Sequence, residues 1–264
     1  MKDLNTVLLE VRKLTAEVGA FIRFESENFD KSAIEHKGFN DLVSYVDKEA
    51  EQKLVDRCRL ILPEAGFITE EGTDSIRADE FNWIIDPVDG TTNFTHGLPI
   101  FAISIALMQN NQIVLGVVHE INRDECFYAV KGGDAFCNDK VIKVSNADVL
   151  ADSLLATGFP YYNFEQMPKY LEILNSFMQS THGLRRMGSA AVDLVYVACG
   201  RFEGFFEYNL NAWDVAAGAF IVQQAGGYVT DFRGGDDFIF GREIVASCGI
   251  QAEMLKIINN SWSN

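Results

Sequence analysis

The chain has 264 residues, of which 48% are hydrophobic, and this size allows one large core or two coupled cores. Its formal net charge of −16 argues against direct nucleic-acid binding and against an anionic membrane as partners, because phosphate-rich surfaces select proteins rich in Lys and Arg. No apolar run has membrane-spanning length and the amino terminus has no secretion-signal pattern, so we expect a cytoplasmic protein.

The first half of the sequence predicts a pair of helices followed by a mainly antiparallel sheet. Helical periodicity covers residues 4–24, and a second helix begins near Asp47 and stops before Pro63. Between them, a polar loop over 31–40 carries Lys37 and Gly38, and residues 41–44 are short and extended. Strands are expected at 67–69, 83–86, 101–108, 113–119, 126–130 and 141–144, separated by turn signals. We expect residues 1–148 to form an α+β subdomain.

From about residue 153 strands alternate with helices, which is typical of an α/β layer. Strands are expected at 154–157, 202–206 and 244–247, and helices at 167–178, 189–199, 214–225 and the carboxyl terminus. Residues 149–264 are therefore predicted to form a second subdomain, with a cleft between it and the first.

The most informative segment is residues 83–94, where an apolar run stops at Asp86 and is followed by Pro87, Asp89, Gly90 and Thr91. Pro87 keeps Asp86 extended, so two carboxylates are expected at the open end of a strand. The glycine lets the backbone approach a ligand closely. Divalent cations such as Mg2+ prefer oxygen ligands, and phosphates prefer exposed backbone N–H groups, so this turn offers both.

Five acids occupy strand ends or helix starts, namely Asp47, Glu70, Asp86, Asp89 and Asp214. Each of them alone is more often a solvated acid or a helix cap. Together they would repel one another unless cations neutralised them, and neither motif contains Lys or Arg. The pattern therefore favours metal binding. Bound cations would also allow an acidic protein to accept an anionic substrate.

These motifs resemble the inositol monophosphatase family, in the Mg2+-dependent, lithium-sensitive superfamily that also contains fructose-1,6-bisphosphatase. Residues 83–94, 213–218 and 224–227 carry the resemblance, and residues 41–47, 132–145 and 185–191 match further family motifs, the last in its bacterial form. The likeness covers nearly the whole chain and implies a layered αβαβα fold and a homodimer. Two departures are Thr69, where the family usually has Gly, and a shortened loop between Glu70 and Asp86.

The resemblance also implies roles for individual residues. Two or three Mg2+ ions are expected, with inhibition by Li+ or Ca2+. Their ligands would be Glu70, Asp86, the carbonyl of Val88, Asp89 and Asp214. Glu70 and Thr91 would activate the attacking water, and Asp47 would position Thr91. The substrate would contact Asp89, Gly90, Thr91, Arg185, Gly188, Ser189, Ala190, Glu207 and Asp214.

The sequence contains no convincing nucleophile for a covalent route, so we expect in-line attack on a phosphate monoester by an activated water. Residues 92–94 resemble the inositol branch, which favours myo-inositol monophosphate or a similar polyol phosphate. Histidinol phosphate, fructose-1,6-bisphosphate and 3′-phosphoadenosine nucleotides remain alternatives. Two other possibilities are a regulatory protein that binds the RNA machinery and has incidental phosphatase activity, and a structural Mg2+-binding domain.

The remaining reactive residue types are expected to be structural. The five cysteines are widely spaced without a CxxC motif, which indicates reduced thiols. The four histidines are scattered, so a zinc site is not expected, and His96 is interpreted as a structural neighbour of the motif. Phe205 and Phe206 are predicted in a buried strand, whereas the place of Tyr161 and Tyr162, in a cleft or an interface, stays open.

Overall fold

A computed structural model describes residues 3–29, 35–36, 42–161 and 163–262. Within these ranges the helices are α1 (Leu4–Asn28), α2 (Tyr45–Ile61), α3 (Thr91–His96), α4 (Met167–Ser180), α5 (Ala190–Ala198), α6 (Ala212–Gln224) and α7 (Gln251–Trp262). The strands are β1 (Glu35–His36), β2 (Leu42–Val43), β3 (Gly66–Thr69), β4 (Phe81–Asp89), β5 (Ala102–Gln109), β6 (Gln112–Glu120), β7 (Glu125–Val130), β8 (Ala135–Cys137), β9 (Lys140–Ile142), β10 (Leu154–Thr157), β11 (Gly183–Arg185), β12 (Gly204–Tyr208), β13 (Tyr228–Thr230) and β14 (Glu243–Ser247).

A seven-stranded sheet, ordered β3-β4-β5-β6-β7-β8-β9, is covered on both faces. Its first two strands are parallel and the remaining pairs are antiparallel. Trp83 and Ile85 pack with α1 and α2, while Ile84 between them packs on the other side with α5 and α6. Because successive side chains point to opposite faces, a strand buried on both sides requires the unbroken apolar run seen before Asp86.

A second sheet has five strands in the order β11-β10-β12-β14-β13. Phe206 faces α4 and α7 on one side of it, and its neighbour Phe205 faces α5 and α6 on the other. Helices α5 and α6 therefore lie between the two sheets and share one apolar cluster with both. The layer sequence is α1/α2, sheet, α5/α6, sheet, α4/α7, and it confirms the predicted αβαβα class.

Most predicted elements are present, and the differences are local. Helix α1 continues to Asn28, and strand β4 continues through Asp86 to Asp89 instead of stopping at the first acid. Among the described residues, the short elements β1, α3, β8, β11 and β13 were missed because segments of two to six residues show little periodicity. In the predicted 31–40 loop, β1 pairs with β2. Lys37, Gly38, Asp41 and Tyr162 lie outside the described residues.

The seven-stranded sheet uses residues 66–142 and the five-stranded sheet residues 154–247. The subdomain boundary between residues 148 and 149 stays a prediction, because the central helices pack against both sheets. In the described ranges, every helix is too short or too polar to cross a lipid bilayer.

Candidate active site

A β-bulge turns Asp86 and Asp89 toward the same cleft. Asp86 pairs with Ser104 of β5 and Asp89 with Ala102, so three steps along β4 match two along its partner. In a regular strand, side chains three residues apart point to opposite faces, and the extra residue removes this difference. Pro87 occupies the bulge, where its missing N–H group leaves no ladder bond unmade. The carboxylates of Asp86, Asp89 and Asp214 each contribute an oxygen to a group whose atoms lie within 4.8 Å of one another.

Asp214 reaches this cluster from the first turn of α6. Its Oδ2 accepts a hydrogen bond of 2.6 Å from the backbone N–H of Asn211, the N-cap residue. The positive end of the helix dipole favours an acid there. The helix-start prediction for Asp214 and the metal-ligand prediction therefore concern one side chain that can serve both purposes.

Burial raises the pKa of each clustered acid, and the charges of neighbouring acids add to this rise for Asp86 and Asp214. For Asp86 the pKa is well above its ordinary value, first through burial and then through the charges of Glu70, Asp89 and Asp214. Burial raises the pKa of Asp89 to about 6 and that of Asp214 to about 7. Among the described residues that line the cleft, Arg186 is the single basic side chain. A divalent cation would relieve this repulsion, so the donor set fits a metal ion.

Glu70 follows β3 and lies beside Asp86, with which it shares a side-chain hydrogen bond. The loop after Glu70 is fixed by Glu51, a fully buried acid of α2. The two oxygens of Glu51 accept hydrogen bonds of 2.7 Å from the N–H of Glu71 and 2.8 Å from the N–H of Thr73. Helix α2 thus holds the segment that presents Glu70.

The turn between β4 and α3 places Gly90 and Thr91 at the cleft. Gly90 has φ = 102°, and a Cβ there would lie 3.0 Å from the carbonyl oxygen of Ile100, so a larger residue would be strained. The hydroxyl of Thr91 lies 2.8 Å from Asp47 Oδ1 and 3.1 Å from the carbonyl oxygen of Val88. Asp47 is itself held by Ser44, whose N–H and hydroxyl donate to Asp47 Oδ2 at 2.9 and 2.6 Å.

Asp89 links this turn to the second sheet's side of the cleft. Its Oδ2 accepts 2.6 Å hydrogen bonds from the hydroxyl of Ser189 and the N–H of Ala191, at the start of α5. Gly188, Ser189 and Ala190 line the adjoining wall of the cleft, which has a volume of about 300 Å³. Glu207 on β12 also lines the cleft, and burial raises the pKa of this acid to about 8.

The expected substrate contact Arg185 lies outside the cleft, and its neighbour Arg186 lines it. Arg185 ends β11 and is exposed, and its guanidinium donates to the carbonyl of Leu184 at 3.0 Å. Arg186 instead lines the cleft, with its guanidinium 5.9 Å from the ring centre of Tyr161. Adjacent side chains at the end of a strand point in opposite directions, so only one of the two can face the cleft.

The structure brings most of the predicted site residues into one cleft, namely Glu70, Asp86, Val88, Asp89, Gly90, Thr91, Gly188, Ser189, Ala190, Glu207 and Asp214. Asp47 lies behind Thr91, and Arg185 lies outside. Sequence reasoning missed Arg186, Asp193 and Gly158, which also line the cleft. Asp193 carried a usable signal, since it is the only charged residue in the apolar segment 190–198.

Comparison with known proteins gives a consistent result over almost the full length. Residues 3–263 match the model of the inositol monophosphatase family. The chain is 41% identical over 229 residues to an inositol-1-monophosphatase of Mesorhizobium japonicum, covering 86% of each chain. It is 40% identical over 245 residues to the Nus factor SuhB of Pasteurella multocida, covering 92% of each. The crystal structure of the extragenic suppressor protein suhB from Bartonella henselae superposes with a TM-score of 0.91 at 37% identity, covering 96% of this chain and 98% of that one.

Proposed function

The chain belongs to the inositol monophosphatase family and is a metal-dependent phosphatase, and from this premise we propose that it uses Mg2+ to hydrolyse myo-inositol monophosphate or a polyol phosphate of similar size. The observation that carries the proposal is the cluster of Asp86, Asp89 and Asp214, three acids gathered beside a glycine turn. Such a group of acids suits cations that in turn attract a phosphate dianion.

The proposed ligands divide into two sets. Glu70, Asp86 and the carbonyl of Val88 would hold one Mg2+, and Asp86, Asp89 and Asp214 would hold another. When bound, the ions would neutralise charge on the phosphoryl oxygens and leaving alkoxide and make a nearby water more acidic. The bulge in β4 supports this division, because it turns both strand acids into one cleft.

Two acceptors are available to orient the attacking water. The single hydroxyl proton of Thr91 is directed to Asp47 or Val88, so toward the cleft the Thr91 oxygen can only accept. The carboxylate of Glu70 is a second acceptor and the stronger base. A water held between them would have its protons directed away from the phosphorus and a lone pair directed toward it. Asp47 would act through Thr91.

The remaining residues would bind the substrate. The turn at Gly90 and Thr91 would donate N–H groups to phosphate oxygens, since its conformation brings backbone close to the cleft. Gly188, Ser189, Ala190 and Glu207 would contact the polyol. We assign the positively charged substrate contact to Arg186, which lines the cleft, in place of the predicted Arg185.

Phosphate release from purified protein tests the proposal. The substrates are myo-inositol 1-phosphate, histidinol phosphate, fructose-1,6-bisphosphate and a 3′-phosphoadenosine nucleotide, each with and without Mg2+. We expect the highest kcat/KM for the inositol phosphate, no turnover in EDTA, and inhibition by Li+ or Ca2+. A preference for another substrate would reject the polyol assignment, and turnover without metal would reject the metal assignment.

A second candidate function comes from the relative named Nus factor SuhB. A protein of this kind could act by binding the RNA machinery, with phosphate release incidental. The complete acid cluster favours an enzyme, because repelling buried acids would not be needed for binding alone. A slow, metal-independent phosphate release together with a stable complex with transcription proteins would favour the second candidate.

A homodimer and a cytoplasmic location also remain proposals, and sedimentation analysis checks the first.

A further inference from the structure

Asp193 is a buried acid at the cleft that neither the metal ligands nor the water-orienting residues require. It lies in the first turns of α5, a helix whose other residues are Ala, Val, Leu and Tyr. Its side chain is 1% exposed, and its Oδ1 has no hydrogen-bond partner. A buried carboxyl oxygen without a partner destabilises the fold, and alanine at this helical position would remove that penalty. Asp193 therefore indicates a ligand group that completes its hydrogen bonding.

The surroundings of Asp193 identify the chemistry of that group. Asp193 lines the cleft together with Glu207, and the two acids interact electrostatically. The charge of Arg186 acts in the opposite sense and favours the ionised form of Asp193. Two carboxyl groups that line a cleft can accept hydrogen bonds from hydroxyl groups, whereas they repel phosphate.

Glycine at position 158 preserves the space for this pair. A Cβ at Gly158 would lie 2.0 Å from Glu207 Oε2, so any side chain would displace the Glu207 carboxylate. Both Gly158 and Glu207 lie at the carboxyl side of parallel strands of the second sheet, β10 and β12. The backbone is therefore shaped around an acid that faces the cleft.

We propose that Asp193 is a specificity-determining residue which, with Glu207, accepts hydrogen bonds from hydroxyl groups of the polyol part of the substrate. The inference rests on the proposed function and adds the residues by which the site would distinguish a polyol phosphate from other phosphate monoesters. A site built to bind a hydroxyl rejects analogues without that hydroxyl strongly, because its own polar groups are then left unpaired. Phosphate monoesters whose alcohol part carries no further hydroxyl group, such as aromatic ones, would bind through the phosphate alone.

The test compares two substrates across matched variants. For the wild type, Asp193→Asn and the control Asp56→Asn, kcat/KM is measured with myo-inositol 1-phosphate and with p-nitrophenyl phosphate in saturating Mg2+. Asp56 is exposed on α2, so Asp56→Asn is the same chemical change at a position away from the cleft. We expect Asp193→Asn to reduce the ratio of the two kcat/KM values by about tenfold or more. Asp56→Asn should leave that ratio as in the wild type.

A series of monodeoxy inositol phosphates then identifies the hydroxyl. The analogue that lacks the hydroxyl bound by Asp193 should be hydrolysed equally well by the wild type and by Asp193→Asn, because the interaction is already absent. The melting temperature of Asp193→Asn should equal or exceed that of the wild type, since the substitution removes a buried charge and keeps the shape.

Three outcomes are decisive. An unchanged substrate ratio in Asp193→Asn overturns the inference even if the wild type is an inositol phosphatase. A lower melting temperature with an unchanged ratio identifies Asp193 as a structural residue and also overturns it. A wild type that releases no phosphate from either substrate rejects the proposed function itself.

Discussion

At the scale of single residues, Asp89 connects the two sides of the site. One of its oxygens is occupied by donors from the start of α5, and the carboxylate also belongs to the acid cluster. Those helix donors lower the pKa of Asp89, but burial outweighs them and the net shift is upward. Asp89 therefore combines a structural anchor with a proposed metal ligand, whereas Asp214 is hydrogen-bonded to the start of its own helix.

The first prediction concerns these two acids. Asp89→Asn and Asp214→Asn should each lower kcat/KM for the inositol phosphate by about 100-fold or more, because each removes a proposed ligand charge. In EDTA both variants should melt no lower than the wild type, since one repelling carboxylate has been neutralised. Steady-state kinetics and thermal unfolding measure both effects, with Asp56→Asn as control. Near-normal turnover of either variant in saturating Mg2+ would refute the two-metal assignment.

A second prediction separates chemistry from metal binding at Thr91. Thr91→Ala removes the acceptor for water and should lower kcat by about 10- to 100-fold, while the Mg2+ concentration for half-maximal activity changes little. Thr91→Ser keeps the hydroxyl that Asp47 accepts and should restore most of the rate. If Thr91→Ala weakened Mg2+ activation as much as it lowered kcat, or if serine failed to rescue, the residue would be structural.

At the scale of secondary-structure elements, the first two turns of α2 organise the site from behind. Asp47 binds Thr91, and Glu51, four residues later, binds the loop that presents Glu70. Residues four apart lie on one face of a helix, so one rigid element fixes both proposed water-orienting groups. The capping box between Ser44 and Asp47 fixes where this helix begins.

Glu51 therefore carries a prediction at this scale. Glu51→Gln keeps one acceptor but directs an amide N–H group at a backbone N–H group, which should destabilise the fold by about 1–3 kcal/mol. Loosening of the Glu70 loop should raise the Mg2+ concentration for half-maximal activity by about tenfold or more. Glu49→Gln, an exposed change on the same helix, is the control. Equal Mg2+ requirements in Glu51→Gln and wild type would show that Glu51 does not position Glu70.

At the scale of the whole molecule, the acidic cleft is consistent with the formal net charge of −16. An anionic substrate would be repelled by such a protein unless cations occupied the cleft first. The acids of β4 and β12 can approach one another because α5 and α6 lie between the two sheets and contribute to one shared core. Metal binding should consequently stabilise the entire fold.

Thermal unfolding tests this expectation. Mg2+ at about 100 times its dissociation constant should stabilise the native state by about 2.7 kcal/mol, which raises Tm by several degrees for a protein of this size. NaCl at equal ionic strength should give a smaller shift, since screening alone acts weakly on buried charges. Asp86→Asn should lose most of the Mg2+ increment. The same increment in Asp86→Asn as in the wild type would place the stabilising ion elsewhere.

Local signals explain why so much of the fold was predictable. The long helices and the buried strands β4, β5 and β6 have strong periodicity or continuous apolar runs, and their predicted positions are close to those observed. The short strands β8, β11 and β13 depend on neighbours for their hydrogen bonds, and a segment of three residues shows no period. These strands form because neighbouring strands offer them hydrogen bonds, and their own sequences do not predict them.

For the site, the sequence by itself determined the chemical groups: acids after apolar strands, a glycine where backbone must approach a ligand, and a hydroxyl beside them. These follow from residue type and local spacing. Only the tertiary structure decided which groups meet, because the bulge at Pro87 reverses the direction expected for Asp86 or Asp89, and strand alternation turns Arg186 instead of Arg185 into the cleft. It also decided that Asp193 is buried and lacks a partner for Oδ1, since burial depends on the packing of α5 between two sheets.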